Sequence, residues 1–187
     1  MNSVIRLIGV LSVWAILLTS FSFAQEKKIM VGGAVMYPSK NIVENLANSK
    51  QHTTLVAAIK AAGLVDTLSV EGPFTVFAPT DQAFNKLPEG TVKLLLKPEN
   101  KEALTKVITY HVLPGKINVL EIVSMIKKNG GSFKVNTMQN GQLTLIQKGK
   151  NIFITDEKGG ISRITTADVM QGNGVIHIIN TVLIPKN

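Results

Sequence analysis

The stretch from Val175 to Ile184 is apolar at odd and even positions alike. In a strand, neighbouring side chains point to opposite faces, so such a run has to be covered on both sides. The chain therefore needs a layer of structure on each face of a central strand. Upstream, Phe133 and Val135 alternate with Lys134 and Asn136, and Leu143 and Leu145 with Thr144 and Ile146; Asn140-Gly141 between them is a hairpin signal. Further strands are predicted at Ile152 to Thr155 and Ile161 to Thr166, with one earlier at Phe74 to Ala78.

The covering layer is supplied by helices. Leu55, Ala58, Ile59 and Ala62 fall at i, i+3, i+4 and i+7, with Gly63 placed as a terminator. The same template recurs in Leu104, Val107, Ile108 and His111, on a helix opened by Pro98 with Glu99 and Glu102 at its positive end. A third copy is Val119, Ile122, Val123 and Ile126, ended by Gly130. Shorter helices are predicted at Asn41 to Asn48, Thr80 to Lys86 and Thr91 to Leu96. Helices first and strands later, with one early strand, predict an α+β domain and exclude alternating βαβ units.

The N-terminus has a different character. Arg6 is the only charge before Glu26, an apolar run starts at Leu7, and Ser22-Phe23-Ala24 places small residues where a signal peptidase reads. The expected organisation is a signal peptide over 1–24, a tether over 25–38 and a domain over 39–187. The remaining ~160 residues suit one domain with its own core. The sequence contains no cysteine, so neither disulfides nor thiolate metal sites contribute. With Arg6 removed, 19 basic residues face 12 acidic ones, and nearly all the cations are lysine. Lysine is a hydrated point charge, so its attraction for anions is salt-sensitive and not geometrically selective.

Three stretches carry a recognisable pattern. Phe74-Thr75-Val76-Phe77-Ala78-Pro79-Thr80-Asp81-Gln82-Ala83-Phe84 resembles the first signature box of the fasciclin domain, and Tyr110-His111-Val112-Leu113-Pro114-Gly115 its tyrosine-histidine box. Asn173-Gly174-Val175-Ile176-His177 and the residues through Pro185 resemble the second signature box. The boxes stand in family order, at family-like distances. The resemblance implies helices packed on a wedge of mostly antiparallel β-strands, used in extracellular adhesion and matrix contacts, with no shared catalytic activity. It also implies a partner contact at Tyr110 and His111, which animal members place in this region.

Read from the residues themselves, the boxes are mainly structural. Thr80 or Asp81 can accept the free N–H groups of the helix carrying Phe84. The helical period points His111 at the core, and His177 lies inside an apolar run where a hydrogen-bonded core imidazole is expected. His52, ahead of the Thr53 helix, is predicted to be exposed. The three histidines lack metal-ligand spacing, and the sequence offers no nucleophile elbow and no phosphate loop. No cofactor, metal or catalytic residue is expected.

Lysines gather in two bands, one from Lys86 to Lys116 and one from Lys127 to Lys158. Each forms a solvated face and a candidate surface for acidic polysaccharide; aromatics among them are too few for a dedicated nucleic-acid groove. The expected product is a non-enzymatic module, secreted to the periplasm or outside the cell. It would contact a cell-surface or matrix protein or an anionic polysaccharide of the envelope or biofilm, with no stable membrane insertion after signal cleavage. The alternative is a periplasmic carrier of a small apolar ligand, with Met36, Met125, Met138 and Met170 lining an adaptable cavity.

Overall fold

The computed structural model describes residues 29–186. The expected signal peptide over 1–24 and the first four residues of the expected tether lie outside the described residues. The rest of the segment expected as a tether is ordered: β1 (Ile29–Val31) and β2 (Ala34–Met36) form an antiparallel ribbon. Strands of three residues are too short to show a period, and Gly32 and Gly33, both at positive φ, close the turn between them. Val31 and Met36 are buried in the helix-side core, which anchors the ribbon.

A helical layer follows, made of α1 (Ile42–Asn48), α2 (Thr53–Ala62) and the five-residue α3 (Val65–Ser69). Asn41 and Glu44 cap each other's backbone N–H groups at the start of α1. α2 buries Leu55, Ala58, Ile59 and Ala62, and stops where Gly63 takes φ 73° and returns its N–H to the Ile59 and Lys60 carbonyls. β3 (Phe74–Pro79) leads into α4 (Asp81–Phe84) and α5 (Thr91–Leu95). Pro98 opens a 3-10 turn instead of the helix proper, and α6 runs over Lys101–Tyr110. β4 (Val112–Pro114) precedes α7 (Val119–Lys128), which has a reciprocal cap of its own between Asn118 and Glu121.

The remaining strands are β5 (Ser132–Asn136), β6 (Gln142–Lys148), β7 (Asn151–Thr155), β8 (Ile161–Gln171) and β9 (Gly174–Ile179). The sheet order is β4-β3-β9-β8-β7-β6-β5, and only β3 with β9 is parallel. That pair separates two cores, as the two-sided apolar run requires. Val76, Ala78, Ile176 and Ile178 face α1, α2 and α6. Phe77 and Ile179 face the other way, toward α7 and the inner residues of β6 and β7. The α+β architecture on a mostly antiparallel sheet is as the sequence predicts.

The two residues at the entry to β9 show why the second box begins Asn-Gly. The Asn173 side chain donates to the Leu68 and Val70 carbonyls at 2.8 and 3.0 Å and accepts from the Ile42 N–H at 3.0 Å, tying α1, α3 and β9 together. A Cβ on Gly174 would overlap the Phe74 carbonyl oxygen, so only glycine lets β3 approach. Asn173→Ala leaves two buried backbone groups and one partly buried carbonyl without this partner and should cost about 3 kcal/mol, read from the urea midpoint with an unchanged denaturant slope. A loss below about 0.5 kcal/mol, the size typical of surface changes, would show that the clamp does not hold these segments together.

Candidate functional site

Thr80 and Asp81 follow directly on β3. Thr80 caps α4, its hydroxyl accepting from the Ala83 N–H at 3.3 Å, while Phe84 is buried at the end of that turn. Asp81 does not cap its own helix. Its carboxylate reaches α2 instead, accepting from the Thr54 N–H at 2.8 Å, the Thr53 hydroxyl at 2.9 Å and the Thr53 N–H at 3.3 Å. Partial burial raises the Asp81 pKa, but the hydrogen bonds from Thr54 and Thr53 together outweigh it and hold the carboxyl below its ordinary value. A carboxylate at the positive end of α2 is also favoured by the helix dipole.

His111 ends α6 and is 2% exposed. Nδ1 lies 2.8 Å from the Val107 carbonyl, which can only accept, and Nε2 accepts from the Leu183 N–H at 3.0 Å. Those partners require the neutral ring with its proton on Nδ1. Burial pushes its pKa down to about 4, against smaller opposite pulls from the Val107 carbonyl and Asp156. Tyr110 is 0% exposed; its hydroxyl donates to the Gln142 carbonyl at 2.9 Å and accepts from the Glu157 N–H at 3.1 Å. Burial lifts that phenol to about 12. The expected partner contact at Tyr110 and His111 is thus corrected: the chain turns inward there, with the His111 carbonyl taking the Phe77 N–H, and both side chains are enclosed.

His177 sits in β9 at 0% exposure. Nε2 lies 2.9 Å from the Ile117 carbonyl and Nδ1 accepts from the Asp168 N–H at 3.3 Å, so this ring carries its proton on Nε2. Burial lowers its pKa as well. The Asp168 carboxylate in turn accepts from the Val119 N–H at 2.8 Å, so His177 and Asp168 together fix the start of α7. His52, expected to be exposed, is buried at 0%. The ribbon turn covers it, Gly32 accepting from the Lys50 N–H, while the Asp81 N–H closes on the Gln51 carbonyl. Its Nδ1 meets the Ser49 hydroxyl at 2.8 Å, and burial lowers its pKa.

The signature residues are therefore separate fastenings and not one cluster. Among the described residues, no three His, Cys, Asp or Glu side chains converge as metal donors do. A profile of the fasciclin domain matches residues 50–185, well over half of the chain. The chain belongs to the fasciclin domain family. It is similar to protein sll1483 of Synechocystis sp., 43% identical over 163 residues that span 86% of this chain and 82% of that one. The immunogenic protein MPB70 of Mycobacterium bovis is 32% identical over 144 residues, 74% of this chain and 66% of the relative. The pig transforming growth factor-beta-induced protein ig-h3 is 34% identical over 148 residues, 79% of this chain but 20% of that longer protein. A solved FAS1 domain pair from the insect cell adhesion molecule fasciclin I superposes with a TM-score of 0.71 over 79% of this chain and 51% of that one. At 18% identity, that match shows the fold alone.

Within this fasciclin domain, several polar residues that hold the site together carry no motif in the sequence. Asp156, buried in the β7–β8 turn, accepts from the Gly160 N–H at 2.7 Å, the Lys158 N–H at 3.0 Å and the Ile184 N–H at 2.9 Å. Asn45 pairs with Gln171 across 126 positions. Met36 and Met138 pack with the helix-side core. A cleft of about 440 Å³ beside α6 is lined by Glu99, Glu102, Lys106 and Lys158 with Val107 and Ile184, not by methionines.

These bonds set a pH dependence. Above the ordinary histidine pKa of 6.5, His111 is neutral folded or unfolded and adds no slope. Between 6.5 and about 4 only the unfolded chain takes the proton, so stability falls as pH falls, by about 3 kcal/mol from this residue. His177 and His52 act in the same direction. Urea midpoints measured from neutral pH to about pH 4 should decline, and His111→Gln should give a shallower decline; a flat wild-type curve would contradict the buried neutral assignment. Asp81→Ala should cost about 1–2 kcal/mol and Asp81→Asn less, since asparagine also caps; equal losses would show that the α2 contact is not a cap.

Proposed function

We propose that this domain is a non-catalytic adhesion or binding module of the cell envelope or extracellular matrix, contacting acidic polysaccharide or protein through its outer surface. The observation that carries this reading is where the charge sits. Every lysine of the two bands, Lys86 to Lys116 and Lys127 to Lys158, is exposed. Among the described residues only two ion pairs form, Lys97 with Glu99 and Lys106 with Glu102. Lys86 donates to the Asn180 carbonyl at 2.6 Å, and the other lysines of the two bands present their charge to solvent, where an anionic partner can meet it.

Two further points support it. Asp81, His111 and His177 have their polar atoms engaged with backbone groups, which leaves none of them poised as base or nucleophile. The fold matches about half of a solved domain pair from a cell adhesion molecule. No helix among the described residues is long and apolar enough to cross a membrane. The signal read over residues 1–24 favours a periplasmic or extracellular site of action, with a biofilm matrix as one setting.

The test is retention of the folded domain on immobilised alginate. Binding is expected at about 0.01 M salt, where the Debye length is about 30 Å, and release by about 1 M, where it is about 3 Å. Absence of binding at low salt, or binding indifferent to salt, would contradict the proposal.

A further inference from the structure

The four strands β5 to β8 bury one face only. Leu143, Leu145, Ile152 and Ile154 point inward to α7, while the alternate positions point away from both cores. The pairing register sorts those outward residues into rows. Lys134 stands opposite Thr144, which stands opposite Thr155, which stands opposite Ile161. The next row runs Ser132, Ile146, Phe153 and Arg163. Lys148 lies one step further along β6, paired with Asn151.

Three features of this face belong together. Ile146 and Phe153 are half-buried yet join neither core cluster, and Ile161 is 60% exposed, so the face has an apolar centre that lies outside both cores of the described residues. Lys134, Lys148 and Arg163 surround that centre. Strand spacing of ~4.8 Å and a rise of ~3.4 Å per residue put each of the three roughly 5–15 Å from Phe153. Finally, the outward positions of the two rows and of Lys148 and Asn151 include no carboxylate, and among the described residues none of the three cations forms an ion pair.

We infer that this outer face is the docking platform for an acidic polysaccharide of the uronate type; the inference rests on the binding reading above and locates its surface. The chemistry of the two sides matches. A sugar ring presents C–H groups that lie against an aromatic face, hydroxyls that hydrogen-bond to Thr144, Thr155 and Ser132, and a carboxylate for which the Arg163 fork is shaped. The same face suits other polyanions less well. A nucleic-acid strand needs successive aromatic platforms, and Phe153 is alone here. A membrane surface needs apolar side chains on a protruding amphipathic element, whereas these lie within a pleated sheet face among hydroxyl residues.

The experiment compares alginate affinity at low salt for the wild-type domain and two triple variants of equal charge change. One is Lys134→Ser, Lys148→Ser, Arg163→Ser on the sheet face; the other is Lys93→Ser, Lys101→Ser, Lys106→Ser on the helical side. Circular dichroism and urea midpoints confirm that both remain folded. The sheet-face triple should lose roughly tenfold in affinity, the helical triple less than roughly threefold. Phe153→Ala should weaken binding several-fold while leaving the salt slope unchanged, because its contact is not screened. Equal losses in the two triples would overturn the platform while leaving the general polyanion reading intact. Tighter binding of phosphatidylglycerol vesicles or single-stranded DNA than of alginate would overturn the choice of ligand, and absence of binding by the wild type would remove the underlying reading itself.

Discussion

The parallel pairing of Phe74–Pro79 with Gly174–Ile179 joins segments a hundred residues apart, and both strands are covered on both faces. A parallel pair so placed leaves its backbone no access to water, so every polar group at its ends needs a protein partner. The signature boxes lie at those ends. Asn173 and Gly174 settle the entry to β9, His177 ties its middle to the approach to α7, and Asp81 leaves β3 to seat the first turn of α2. His111 performs the same task for the C-terminal segment, receiving the Leu183 N–H. Each box is thus a point where a helix end is fastened to the central pair by a side chain that meets backbone.

That arrangement supports the proposed non-catalytic role. An imidazole with one nitrogen donating to a carbonyl and the other accepting from an amide has no lone pair or proton left for substrate. Its buried, neutral state is part of the fold's stability. On the proposed reading, recognition falls to the side chains that the fold leaves outside, above all the lysines and the outward residues of β5 to β8. The two layers differ in kind: one is interior and fixed by hydrogen bonds of defined direction, the other is hydrated and responsive to salt.

Much of this was legible in the residue order. α2 follows from the spacing of four apolar residues and one glycine, and the two-sided apolar run correctly places β9 at the centre of the sheet. What escaped was of two kinds. Elements of three to five residues, such as β1, β2, β4 and α3, are shorter than the periods by which elements are recognised. Polar residues with distant partners were legible in role but not in address: Asp81 reads as a cap, but only folding reveals that the helix it caps lies 27 positions upstream. His52 reads as a flanking residue because nothing local shows that the ribbon turn will close over it. The outer face of β5 to β8 was visible as alternation, whereas the grouping of Lys134, Lys148 and Arg163 around Phe153 depends on register across four strands.

The most direct measurement is the protonation and tautomer of the imidazoles by long-range proton–nitrogen NMR of labelled protein. His111 should be neutral with its proton on Nδ1, and His177 neutral with its proton on Nε2. Both should stay neutral at about pH 6.5, where a free imidazole is half-protonated. If either ring titrates at that ordinary value, or shows the rapid averaging of tautomers seen in solvent-exposed histidine, these residues are not interior fastenings and the division between a structural interior and a recognising surface fails.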